Sequence, residues 1–161
     1  MDNFKKENYL QILFILSIFA LVVAYIIQYI LNYQPCNLCL IERIPYGIAI
    51  IILVLNYIFK QDQLFYSILL MLTFLFLFLI SLYHFGIEQG IIEESAVCTS
   101  KNLDLITKED ILNSLQELRI SCKDVAFKIF GLSLTTYNIL ISLCMLAISF
   151  KIYLLNYGIK K

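Results

Sequence analysis

The sequence predicts an all-α integral membrane protein: a four-helix bundle with a long extracytoplasmic loop carrying a short amphipathic helix. Three observations predict it. The 161 residues are 61% hydrophobic and 15% charged, where a soluble domain has about 45–50% apolar and about 25% charged residues. Mean hydropathy is +0.84, more than one water-facing core accounts for. The apolar residues gather in four blocks, each able to cross a hydrocarbon core of roughly 30 Å at about 1.5 Å per residue.

The first block spans about residues 10–31 and carries no charge. The second spans about 40–59, with Glu42 and Arg43 in its first turn. The third and fourth span about 64–85 and 132–150. In lipid the backbone must satisfy its own hydrogen bonds, so these blocks are helices. The first is longer than the core of a cleavable signal and ends in Asn32-Tyr33-Gln34-Pro35-Cys36, with no small-x-small site, so it is expected to stay. Pro and Gly are scarce and no linker or repeat interrupts the chain, which reads as a single membrane domain over 1–161.

An even number of spans puts both termini on one side. Lys5, Lys6, Lys60, Lys151, Lys160 and Lys161 crowd the short flanks there. Arg43, Lys101, Lys108, Arg119, Lys123 and Lys128 are spread over the other side. The positive-inside rule therefore places the termini in the cytoplasm, and the loops 32–39 and 86–130 outside. Within the long loop Thr107 precedes Asp110 as a capping pair, and Ile111, Leu115 and Leu118 recur at helical spacing. A short amphipathic helix over about 108–119 follows, on the membrane surface or against the bundle. Tyr29, Tyr33, Tyr46, Tyr57, Tyr83 and Tyr137 read as interface anchors. Net charge is zero, which gives no reason to expect nucleic acid. The spans lack mid-membrane charges, which leaves a channel or carrier little support.

The chemistry lies in the five cysteines. Cys36 and Cys39 form a C-x-x-C where the second helix begins, and Cys98 and Cys122 lie in the long outer loop. Disulfides form and persist in such a compartment. The C-x-x-C spacing lets two sulfurs close a small ring, and a helix start or a cation can stabilise one thiolate. Pro35 suits a helix start, and Arg43 follows Cys39 by four residues, on one stripe if the helix extends back to Cys36. A guanidinium there can favour a Cys39 thiolate and donate to a carbonyl-bearing ligand. His84, the single histidine, ends the third helix at the depth of Arg43, so Arg43, Glu42 and His84 could share one polar site. Cys144, deep in the fourth helix, reads as a packing residue. Two alternatives stand beside the redox reading: a pair of structural disulfides in a non-catalytic membrane protein, and a four-cysteine zinc site. Zinc is disfavoured because the second pair lacks C-x-x-C spacing and the compartment is oxidising. No metal is expected.

The stretch Pro35-Cys36-Asn37-Leu38-Cys39-Leu40-Ile41-Glu42-Arg43 resembles the signature of the DsbB family of disulfide-bond formation proteins. Tyr83-His84-Phe85-Gly86-Ile87-Glu88-Gln89-Gly90 resembles that family's third-helix end. Ser121-Cys122-Lys123-Asp124, then Phe130-Gly131-Leu132-Ser133 and Tyr137-Asn138, resembles its entry into the fourth helix. The chain departs from the family in having no Trp; Phe127 and Phe130 are the aromatic residues near the second pair. The resemblance implies a thiol oxidase of the bacterial inner membrane. A DsbA-like periplasmic protein with a thioredoxin fold would attack a Cys98–Cys122 disulfide at Cys98, and Cys122 would exchange with Cys36. Cys39 would then face a quinone, ubiquinone or menaquinone, held by Arg43 with Glu42 and His84 contributing.

Overall fold

The computed structural model describes residues 2–59, 62–93, 122–123, 128–129 and 131–159. Its elements are α1 (Asp2–Tyr29), α2 (Asn37–Ile41), α3 (Arg43–Ile58), α4 (Gln63–Glu88), β1 (Lys128–Ile129), β2 (Leu132–Ser133) and α5 (Leu134–Ile159). The two strands form one short antiparallel pair, Lys128 opposite Ser133 and Ile129 opposite Leu132. Four stretches are long and apolar enough to cross a membrane: Lys6–Tyr29, Asn37–Ile58, Gln63–Glu88 and Leu134–Gly158. The all-α membrane bundle is thus the architecture found. The expected helix over 108–119 and Cys98 lie outside the described residues.

The bundle closes in chain order, with α4 and α5 in the most extensive contact and α1 against α5 the looser seam. Polar and apolar spacing explains the tight pair. On α4 the buried residues are Ser67, Leu70, Phe74, Leu77, Ser81 and His84. On α5 they include Thr135, Ser142, Met145, Ser149, Ile152 and Asn156. Both series step by three and four, the 3.5-residue period of shallow helix crossings. The serines let the backbones approach. Their hydroxyls return to their own helices, Ser81 Oγ to the Leu77 carbonyl at 2.9 Å and Ser149 Oγ to the Met145 carbonyl at 2.8 Å, so neither is stranded in apolar surroundings. Leu13, Ala49, Leu70, Phe74, Leu77 and Met145 fill the centre with no exposure. Ile15, Phe19, Ile51, Phe76 and Leu143 point outward, an arrangement that lipid tolerates and water does not.

Several boundaries differ from those expected, each for a local reason. α1 starts well before residue 10 because Lys6 is buried at 6% exposure and donates to Gln63 Oε1. It ends at Tyr29 rather than about 31, and Asn32 at φ 55° turns the chain away. The second span is broken rather than continuous. α2 stops at Ile41 and α3 restarts at Arg43. Pro45 is the cause: it has no N–H for the Ile41 carbonyl, and its ring crowds that carbonyl. α5 begins at Leu134 rather than about 132, because Ser133 Oγ accepts the Thr136 N–H at 3.3 Å as an N-cap. It runs past 150 to Ile159, tied by Asn156 Nδ2 donating to the Gln63 carbonyl at 3.2 Å. Cys144 is exposed on the outer face of α5 and not packed in the core as expected. It lies at neither a small-residue nor a core position of the α4–α5 seam.

These ties separate the two ends of the bundle. Lys6, Gln63 and Asn156 meet at the end that holds the start of α1, the start of α4 and the end of α5. Cys36, Glu42, His84 and Asn138 meet at the other. There α4 finishes in a Schellman turn: Gly90, at φ 72°, donates to the Ile87 carbonyl, and the Ile91 N–H bonds the Gly86 carbonyl, both at 2.9 Å.

Candidate functional site

Cys36 caps α2. Its backbone is extended, φ −69° and ψ 167°, and its Sγ accepts the Cys39 N–H at 3.2 Å. Pro35 therefore sits one residue outside the helix rather than in its first turn. The helical step from Cys36 to Cys39 brings their sulfurs to 2.7 Å, both as free thiols. The Cys36 thiol is pulled down to about 5, first by the Cys39 thiol hydrogen bond and then by His84, against the effect of burial.

A chain of polar contacts leads away from Cys36. His84 Nε2 lies 3.5 Å from its Sγ, and His84 Nδ1 lies 3.0 Å from Glu42 Oε1. The carboxylate fixes the ring in the tautomer that leaves Nε2 toward sulfur. Glu42 is held in turn by Asn138 Nδ2, which donates to its Oε2 at 2.8 Å and to Ser81 Oγ at 2.9 Å. Tyr46 donates its hydroxyl to Asn138 Oδ1. Three helices are thereby cross-linked behind one sulfur. Glu42 and His84 are 7% and 3% exposed. A thiol, an imidazole and a carboxylate in this order can stabilise a thiolate at the sulfur.

Arg43 occupies a different wall. Its guanidinium donates to Gln28 Oε1 and to the Ala24 carbonyl and lies 5.2 Å over the Tyr25 ring. All these partners belong to α1. Glu42, between α2 and α3, keeps helical dihedrals of φ −62° and ψ −20°, and the contacts of the Arg43 guanidinium are those to α1. Arg43, Glu42 and His84 nevertheless line one cavity of about 430 Å³, together with Cys36, Cys39 and Cys122. It lies between α1 and α5 residues such as Phe19, Ile27 and Ile141, at the looser seam.

Cys122 is disulfide-bonded, its partner lying outside the described residues. At 3% exposure it packs in one small cluster with Cys36, Leu38 and Ile87. The structure therefore brings together Cys36, Cys39, Cys122, Glu42 and His84. Sequence reasoning missed the network behind them. Tyr46, expected as an interface anchor, is buried at 4% exposure. Asn138, Ser81 and Gln28 had no assigned part. The available signal was an uncharged polar residue inside an apolar span, which lipid forces to find a partner.

The family described as "Disulfide bond formation protein DsbB" matches residues 6–152. An uncharacterized protein of Rickettsia prowazekii (strain Madrid E) is 37% identical over 153 residues, covering 90% of this chain and 85% of the relative. No solved structure matches. With four spans, a C-x-x-C at a helix start and a third cysteine packed beside it, the chain belongs to the DsbB family of disulfide bond formation proteins.

Proposed function

We propose that this membrane thiol oxidoreductase re-oxidises a DsbA-like dithiol protein of thioredoxin fold and delivers the electrons to a membrane quinone. The whole chain would act as one unit of the bacterial inner membrane, with the cysteine end in the periplasm and the lysine-rich termini in the cytoplasm. The observation that carries this reading is the packing of Cys122 against Cys36, on the cavity that Arg43 also lines.

In the first exchange a partner thiolate attacks Cys98 of a Cys98–Cys122 disulfide, and Cys122 leaves as thiolate. The partner's second thiol resolves the mixed disulfide, leaving Cys98 reduced and the partner oxidised. The Cys122 thiolate attacks Cys36 of an oxidised Cys36–Cys39 pair, and Cys39 leaves toward the cavity. Cys98 then displaces Cys36 from Cys122, restoring the outer disulfide. The net result is two electrons and two protons on Cys36 and Cys39. Exchange needs an accessible disulfide and a good leaving thiolate, and the lowered pKa of Cys36 supplies the second.

The cavity suits a quinone ring. Its volume of about 430 Å³ lies in the range of small-molecule sites, its walls are largely apolar, and Arg43 lines it from the α1 side while His84 lines it beside the sulfurs. A bound quinone would supply a two-electron, two-proton acceptor. Arg43 would orient a carbonyl from its anchorage on α1. His84 would hold a proton at Nε2 next to the sulfurs, with Glu42 balancing the charge. The test is a purified chain given a reduced thioredoxin-fold partner and quinone. Quinone loss with a mixed disulfide trapped through Cys98 is expected; no quinone consumption overturns the reading.

A further inference from the structure

The geometry points to a second use of the same pocket: in the reduced chain Cys36, Cys39 and His84 form a three-ligand site for a borderline-soft divalent cation such as zinc. The two sulfurs and a ring nitrogen of His84 lie within 4.8 Å of one another. This ligand set differs from the four-cysteine arrangement that the sequence suggests and disfavours. It draws on a histidine 48 residues from Cys36, which no local spacing reveals.

The distances suit tetrahedral coordination. Zinc–sulfur bonds of about 2.3 Å and zinc–nitrogen bonds of about 2.0 Å place sulfur and nitrogen ligands about 3.5 Å apart. Cys36 Sγ and His84 Nε2 are 3.5 Å apart. The sulfurs, at 2.7 Å, must separate by about 1 Å to share a zinc ion, a side-chain rotation at Cys39, the less buried of the two. The outer shell is already built. Metal-bound histidines characteristically donate their other ring N–H to a carboxylate, and His84 Nδ1 meets Glu42 Oε1 at 3.0 Å. Asn138 then holds the far oxygen of that carboxylate at 2.8 Å. The fourth position faces the cavity, leaving room for water or an added ligand.

Charge favours the cation. Two thiolates buried beside apolar walls are costly, whereas two thiolates on a divalent ion are neutral as a unit. Binding displaces the protons that the two sulfurs and the ligating ring nitrogen of His84 still carry, and no electrons move. The oxidised pair offers no thiolate, so the disulfide and the metal exclude each other. The regulatory consequence rests on the proposed quinone-linked activity; the site itself does not. When the acceptor is scarce the dithiol persists, and a metal ion would hold it until a chelator withdraws the ion.

The experiment uses the full chain carrying Cys98→Ser and Cys122→Ser, so that Cys36 and Cys39 are the thiols at this end. Reduced protein, freed of reductant, is titrated with zinc sulfate against a chromogenic chelator, and with cobalt(II) to read thiolate-to-metal absorption. One equivalent bound by the reduced form and none by the oxidised form is the expected result. Glu42→Gln should weaken binding about 10- to 100-fold while keeping the absorption band. His84→Ala should change the band and weaken binding. Equal binding by reduced and oxidised protein overturns the site without requiring a further variant, as does a His84→Ala chain indistinguishable from its parent. Quinone consumption by the unsubstituted chain is measured separately. Metal binding without it leaves the site and removes the oxidase reading; the reverse removes the site alone.

Discussion

Both ends of the bundle bury a polar network, and the two networks differ in where they stop. At the end holding the chain termini, Lys6 reaches Gln63 Oε1 and Asn156 reaches the Gln63 carbonyl. Those contacts tie three helices and go no further. At the other end Tyr46, Asn138, Glu42 and His84 run in series and stop on the Cys36 sulfur, beside a cavity. A polar group in lipid needs a partner in either case. It acts as a cross-link when its partners close on one another, and as a site when the series ends on a group that can react.

The sharpest break in this comparison is at the sulfurs. Cys36→Ser, Cys39→Ser, Cys98→Ser and Cys122→Ser should each abolish quinone-dependent oxidation of a dithiol protein, while Cys144→Ser, on the outer face, should leave the rate unchanged. Steady-state turnover measures both. A chain still active without Cys122 would remove it from the relay.

Next comes the network behind the sulfur. Asn138→Leu frees Glu42 and lets the imidazole drift, and misplacement of about 1 Å can cost up to about 100-fold in rate. An equal loss in Gln63→Leu would abolish the distinction between the ends. Arg43→Ala should chiefly raise the apparent KM for quinone, and unchanged quinone kinetics would detach Arg43 from the site.

Acidity offers a gentler probe. With Cys36 pulled down to about 5, its thiolate persists well below neutrality and disappears only as pH falls through that value. Alkylation of Cys36 in the reduced chain, followed by mass spectrometry with a chelator present, should therefore lose its rate around pH 5. A midpoint near the ordinary thiol value of about 8.5 would contradict the assigned contacts.

The smallest effects belong to the other end and the turn. Lys6→Met removes one buried cross-link and should cost about 0.6 kcal/mol, the average for such interactions in membranes. Gly90→Ala, at a φ of 72°, should cost about 1 kcal/mol. Thermal midpoints in one detergent would rank these changes, and turnover should survive both.

Much of this was legible because lipid imposes simple rules. Four apolar blocks announce four helices, and the C-x-x-C announces a redox-suited pair whatever surrounds it. Local exceptions were harder. Arg43 was present to be read, yet its partners Gln28, Ala24 and Tyr25 lie on α1, which no local spacing reveals. Polarity alone placed Tyr46 at an interface, while its hydroxyl in fact completes a buried bond to Asn138.

The sequence by itself determined the solvent, the number of spans and the closeness of Cys36 and Cys39, because composition and short spacings act within one turn of helix. Only the tertiary structure decided which residues meet. Glu42 and Asn138 are 96 positions apart, and Cys122 packs against Cys36 with the second and third spans between them in the chain. Those meetings depend on which faces α4 and α5 turn toward each other, and that is set by the combined packing of serines, leucines and aromatics along the full seam rather than by any one motif.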